Sequence, residues 1–126
     1  MSRSMTVRLP ATPGAPACIR DRLRHDCGEL PEPLLDDAVL LSSEVVTNAV
    51  VHGPKPGMIT VAVEWDSTKL AMAVGDESAR VPVPRSSDAV AEGGRGLHLL
   101  DALASSWGVR SAAAEPGKVV WFTLER

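Results

Sequence analysis

The chain has 126 residues, 44% of them apolar and 23% charged, with a formal net charge of -3 and a pI near 5.5. Such a length supplies about one domain with a core of its own, and the acidic balance excludes a nucleic-acid or anionic-membrane surface, which needs a basic patch. One Phe, three Trp and no Tyr leave few platforms for base stacking.

No apolar run approaches the ~20 residues of a membrane span, and residues 1–10 lack the apolar region of a signal peptide. A cytoplasmic, reducing location is the expectation. Cys18 and Cys27 fall in one predicted helix, where nine residues of rise, ~13 Å, prevent a disulfide. There is no CxxC pair, and His25, His52 and His98 are scattered, so a metal site built on protein ligands alone is not expected.

In chain order, residues 5–9 alternate and end at Pro10, predicting an edge strand. Thr12 before Pro13 reads as a helix cap, with a helix over 15–27 whose outer face carries Arg20, Asp21, Arg22, Arg24 and Asp26. Gly28 ends it, and Pro31 and Pro33 restart the chain. A second helix is predicted from about 34 to 51, closed by the Gly- and Pro-rich run 53–57.

Two strands, 58–65 and 70–74, flank the polar turn Asp66-Ser67-Thr68-Lys69 as a hairpin. Residues 75–94 show no periodicity, a length that in a compact domain belongs to functional lids or disordered stretches. Gly93-Gly94-Arg95-Gly96 then opens a helix over 97–104 with an apolar stripe of Leu97, Leu100 and Leu103. Strands over 106–112 and 118–124 are joined by Glu115-Pro116-Gly117. This order predicts an α+β two-layer sandwich, a mainly antiparallel mixed sheet of about five strands with about three helices on one face.

The second helix carries the least ordinary pattern. At about 100° per residue, Ala38, Val39, Val45, Val46, Ala49 and Val50 form one core-facing arc. Beside it Glu44, Asn48 and His52 recur every four residues and stack into a polar ladder. On this segment alone, a cleft lining and a solvated face with an ordinary cap are equally compatible.

Other chemistries are excluded by inspection. There is no GxxxxGK[ST] phosphate loop and no GxSxG elbow. Gly94-Arg95-Gly96 begins a GxGxxG, but Leu99 replaces its last glycine and no strand precedes it. What remains is a glycine-rich turn opening a helix, a suitable place for an anion: free N–H groups, a positive dipole end and Arg95 favour phosphate. Taken alone, a glycine-capped loop explains it as well. Asp76 ends an apolar strand at the mouth of the same long segment, and Glu44 and Asn48 offer oxygen contacts to a Mg²⁺ on such phosphates.

With these residues in place, nearly the whole chain resembles the GHKL ATP-binding superfamily, and most closely its branch of anti-sigma-factor serine/threonine kinase-like domains. The run from Glu44 to Gly53 resembles the family's N-box, and Gly93-Gly94-Arg95-Gly96-Leu97 with Leu99-Leu100-Asp101 its second glycine box. The resemblance implies ATP and Mg²⁺ as ligands, Asn48 coordinating the Mg²⁺ and Glu44 as general base. It implies that Asp76 accepts a hydrogen bond from the adenine amino group, that Gly94, Arg95, Gly96 and Leu97 cradle phosphates, and that 77–93 is the lid. His52 is assigned a structural role at the helix end.

Two departures stand out. The family's first box is usually Asp-x-Gly-x-Gly, whereas Asp76-Glu77-Ser78-Ala79-Arg80 contains no glycine, and Val119 lies where many relatives have threonine near the adenine. The resemblance implies a kinase for a serine or threonine on a small antagonist protein, able to sequester a sigma factor; related domains often dimerise. A non-catalytic interaction module on the same scaffold is the second expectation, favoured by the glycine-free segment. A structural protein with an accidental cleft ranks third.

Overall fold

A computed structural model describes residues 2–53, 56–76, 98–111 and 117–125. The strands are β1 (Arg3–Pro10), β2 (Met58–Trp65), β3 (Lys69–Asp76), β4 (Ser106–Ser111) and β5 (Lys118–Glu125). The helices are α1 (Ala15–Asp26), α2 (Glu32–His52) and α3, described over 98–103. One sheet runs in the order β1-β2-β3-β5-β4, and every pairing among the described strands is antiparallel. The α+β sandwich expected from the sequence is the fold observed.

The sheet forms because its strands keep period two. In β2, Ile59, Val61, Val63 and Trp65 are buried while Thr60, Ala62 and Glu64 are exposed. Leu70, Met72 and Val74 of β3, and Phe122 and Leu124 of β5, continue the same apolar face. The β2–β3 turn is fixed by Asp66, whose carboxylate accepts from the N–H groups of Thr68 at 2.9 Å and Lys69 at 3.1 Å. β1 is an edge, as Pro10 required, and β4 is the other.

α2 lies over β3 with its flanks against β2 and β5, and α1 packs on α2. All six residues of the predicted arc of α2 are buried. Leu34, Leu41 and Val46 are also fully enclosed, each such side chain contributing ~1.5–3 kcal/mol through removal from water. Ser42, the one buried polar residue among those described, returns its hydroxyl to the Val39 carbonyl at 2.9 Å. At the far end of the sheet Glu29 accepts from Trp65 Nε1 at 2.9 Å and pairs with Arg3 at 3.3 Å, tying the α1–α2 junction to β1 and β2.

α1 begins at residue 15 as expected, but its cap and the start of α2 differ from the sequence expectation. α1 has Gly14, not Thr12, at its N-cap, with no side-chain cap bond; the Thr12 carbonyl instead accepts from the Ala15 N–H at 3.0 Å. α2 begins at Glu32, with Pro31 at the cap and Pro33 inside the first turn. Proline is tolerated there because those N–H groups have no intrahelical partner.

Candidate functional site

Along α2, Glu44 and Asn48 are half-buried and His52 is exposed. The four-residue interval lifts Asn48 ~6 Å above Glu44 on the same helix face. Among the described residues no hydrogen bond or ion pair engages either side chain. Leu40 and Val51, 43% and 56% exposed, are eleven residues apart and therefore ~20° apart around the helix. The polar rungs are thus flanked by uncovered apolar surface, a lining suited to a ligand of mixed character. Leu41, adjacent to the ladder in sequence terms, belongs to the core instead.

Two contacts hold this stripe in place. Arg20 of α1 donates through Nη1 to Ser43 Oγ at 2.8 Å, fixing the turn that bears Glu44 against the neighbouring helix. Gly53 caps α2, its N–H bonded to the Ala49 carbonyl at 2.9 Å. A Cβ at Gly53 would lie 2.5 Å from that oxygen and 3.5 Å from Asp76 Cβ. The Ala49 carbonyl therefore leaves no room for a side chain at the cap, while the ordinary contact distance to Asp76 Cβ shows that the ends of α2 and β3 are neighbours, with Asp76 near the Asn48 end of the helix. Sequence reading found Gly53 only as a helix stop; its approach to Asp76 is a tertiary fact.

Asp76 is half-buried at the end of β3. It alternates with Leu70, Met72 and Val74 and so faces the helix layer. Its register partner on β5 is Lys118. Val119 pairs with Gly75, its Cγ2 lying 3.7 Å from where a Gly75 Cβ would be, so it occupies the opposite face of the sheet from Asp76. The departure at position 119 is therefore not a change on the Asp76 side; the β5 residues on that side nearest Asp76 in register are Lys118 and Val120.

Gly94, Arg95, Gly96, Leu97 and the 77–93 segment lie outside the described residues. Downstream, Leu100 of α3 is buried, and Asp101 accepts from Trp107 Nε1 at 2.7 Å, which anchors the helix to β4. Asp101 of the second glycine box thus has a structural task. Among the described residues no helix is long and apolar enough to cross a membrane.

The residues present suit a hydrated magnesium nucleotide. Mg²⁺ takes one or two protein oxygens and completes its shell with phosphates and water, and the available amide of Asn48 beside the carboxylate of Glu44 is such a set. Cys27 is fully enclosed, and burial pushes its thiol up to about 12, so it is inert packing rather than a nucleophile.

Comparison with known proteins agrees with this geometry. The histidine kinase-like ATPase domain family matches residues 9–124. The fold resembles the crystal structure of the RsbU and RsbW domains of Rv1364c from Mycobacterium tuberculosis, with a TM-score of 0.70 and 23% identity over 98% of this chain and 32% of that one. It also resembles the histidine kinase domain of a blue-light activated histidine kinase from Erythrobacter litoralis EL346, with a TM-score of 0.58 and 20% identity over 93% of this chain and 61% of that one. The chain thus spans about a third and three-fifths of the lengths of these two structures. No curated protein matches significantly. By the match over nearly its entire length, the chain belongs to the histidine kinase-like ATPase domain family within the GHKL superfamily.

Proposed function

We propose that the chain is an ATP-binding regulatory protein of the anti-sigma-factor serine/threonine kinase type. It binds ATP with Mg²⁺, transfers the γ-phosphate to a serine or threonine hydroxyl of a small antagonist protein, and also sequesters a sigma factor. The observation that carries this reading is the pair Glu44 and Asn48, half-buried and without a partner among the described residues, on one stripe of α2 towards the end where Gly53 meets Asp76. The likeness to a structure containing an RsbW domain supports the same branch.

Magnesium, when bound, would neutralise charge between the β- and γ-phosphates. Asn48 would hold it through the amide oxygen, and Asp76 would orient the adenine by accepting from its amino group. Glu44 would take the proton from the attacking hydroxyl as its oxygen bonds to the γ-phosphorus and the bond to the ADP oxygen breaks. Gly94, Arg95, Gly96 and Leu97 would cradle the phosphates, with 77–93 as the lid.

Calorimetry tests the binding step: ATP binds in the presence of Mg²⁺, and Asn48→Ala loses the Mg²⁺-dependent part. Unchanged binding in that variant removes the magnesium assignment. Glu44→Ala retains ATP but loses phosphotransfer to a cognate antagonist by the ~10²–10⁴-fold typical of a general base; an active variant would sink that role. The second reading, a non-catalytic interaction module, is favoured by the glycine-free segment after Asp76. Absence of ATP binding with and without Mg²⁺ in the unmodified protein would decide for it.

A further inference from the structure

At the end of the sheet where α2 stops, the helix-side residues of four strands form one row: Leu9, Ile59, Asp76 and Lys118, on β1, β2, β3 and β5. Leu9 and Ile59 are buried, so the row turns from apolar to charged at Asp76. The next row on the same face is valine from edge to edge: Val7, Val61, Val74, Val120 and Val109. A carboxylate and an ammonium therefore stand side by side at the rim of an apolar floor.

Lys118 is the unexplained member of that row. It is half-buried, and among the described residues no hydrogen bond or ion pair engages its ammonium. Side chains directly opposite on one face of an antiparallel pair have Cβ atoms ~4.5–5.5 Å apart, which places Lys118 next to Asp76. A partly desolvated ammonium without an acceptor is costly, and an acceptor on a ligand offsets that cost.

We propose that Lys118 reads the adenine base directly, its ammonium donating a hydrogen bond to N1 while the Asp76 carboxylate accepts from the 6-amino group. This deepens the ATP reading above and rests on it. Adenine presents a donor and an acceptor on neighbouring positions of one edge, and Asp76 and Lys118 present an acceptor and a donor in the complementary order. The carboxylate sits on a short stem at the end of β3 and sets where the base lies; the flexible four-carbon stem of lysine adjusts to meet N1. Asp76 has a contact of its own, but an ionised carboxylate offers about four lone-pair sites, which leaves capacity for the amino group. Guanine in the same seat would set its 6-carbonyl against the carboxylate and its N1–H against the ammonium. Val119 lies on the opposite face and takes no part.

A site built to hydrogen-bond one atom rejects an analogue that lacks it, because the buried group is then left unpaired. Calorimetry with Mg²⁺ can therefore compare ATP with 1-deaza-ATP, in which C–H replaces N1, and with 7-deaza-ATP, which keeps the whole edge. The unmodified chain should bind ATP and 7-deaza-ATP alike and 1-deaza-ATP ~10–100-fold more weakly, the loss expected for a hydrogen bond from a charged donor. Lys118→Met keeps the stem and removes the charge; it should bind ATP and 1-deaza-ATP equally, with a melting curve that shows it folded. Lys118→Gln, which retains an N–H donor, should recover part of the discrimination.

Equal binding of ATP and 1-deaza-ATP by the unmodified chain would overturn the inference and leave the ATP reading standing. A Lys118→Met variant that weakens both nucleotides by one factor would overturn it too, since the ammonium would then act on ribose or phosphate. Binding of none of the three nucleotides by the unmodified chain would overturn the ATP reading and this inference with it.

Discussion

At the scale of single residues, the site rests on one side chain that is missing. Gly53 closes α2 beside the end of β3, and its backbone angles are ordinary, φ -78° and ψ 168°, so the 2.5 Å approach of the Ala49 carbonyl to any Cβ there, not conformation, demands glycine. Gly53→Val should disturb this helix end beside Asp76, lowering stability by about 1–3 kcal/mol in urea unfolding and weakening ATP in calorimetry. Wild-type values in both would show that the helix end yields freely. The two cysteines differ just as sharply. Cys18 is exposed and Cys27 buried, so a thiol reagent at pH 8 should label one sulfur in the native protein and two in guanidinium. Burial raises the folded-state value of Cys27 to about 12, against ~8.5 in an unfolded chain. Its contribution to stability is therefore complete below about pH 8.5 and is lost as pH climbs towards 12; Cys27→Ala should flatten that alkaline decline in a pH series of denaturation midpoints.

At the scale of elements, β4 depends on a close approach that resembles the one at Gly53. Gly108 gives the Trp121 indole a floor to lie on, and any Cβ there meets it at 2.9 Å. Gly108→Val should displace Trp121 and cost about 1–3 kcal/mol in thermal unfolding. An unaltered melting temperature would show that the indole moves away without penalty. The elements also show what the sequence made legible. Strict alternation from Ile59 to Trp65 disclosed a half-buried strand, and the apolar arc of α2 disclosed which side was core, because both signals are periodic and local. Helix caps were less legible than helix starts: α1 begins at residue 15 as its apolar pattern required, but Thr12-Pro13, which has the composition of a cap, is not the cap, which is Gly14 with no side-chain bond. The side of the sheet on which Val119 lies was hidden too, because a one-residue change of register exchanges the faces of a strand.

Across the whole molecule, the sheet separates a helix-bearing side from a side that no described helix covers. Glu44, Asn48 and Asp76 belong to the helix-bearing side, and their pattern was legible as a motif because spacing along α2 fixes the first two and strand alternation the third. The other side carries no such motif; its rows of outward residues arise from cross-strand register over five strands, which no local pattern records. This division makes a joint prediction. A ligand that binds only the folded state stabilises it by RT ln(1 + [L]/Kd), ~2.7 kcal/mol at a hundredfold excess over Kd, so Mg-ATP should raise the melting temperature by roughly 10 °C for a chain of this size. Asn48→Ala should lose the Mg²⁺-dependent part of that rise, while Ala62→Arg, at an exposed position on the other side of the sheet, should keep it. Since the two positions lie on opposite sides of the sheet, their effects on melting temperature should add within the ~0.5 kcal/mol expected of distant sites. A scan of melting temperature against ATP and Mg²⁺ for the four proteins measures this directly. A double variant departing from the sum by more than that margin would mean that the two sides are coupled through β3, whose end carries Asp76 and whose middle carries Ala73.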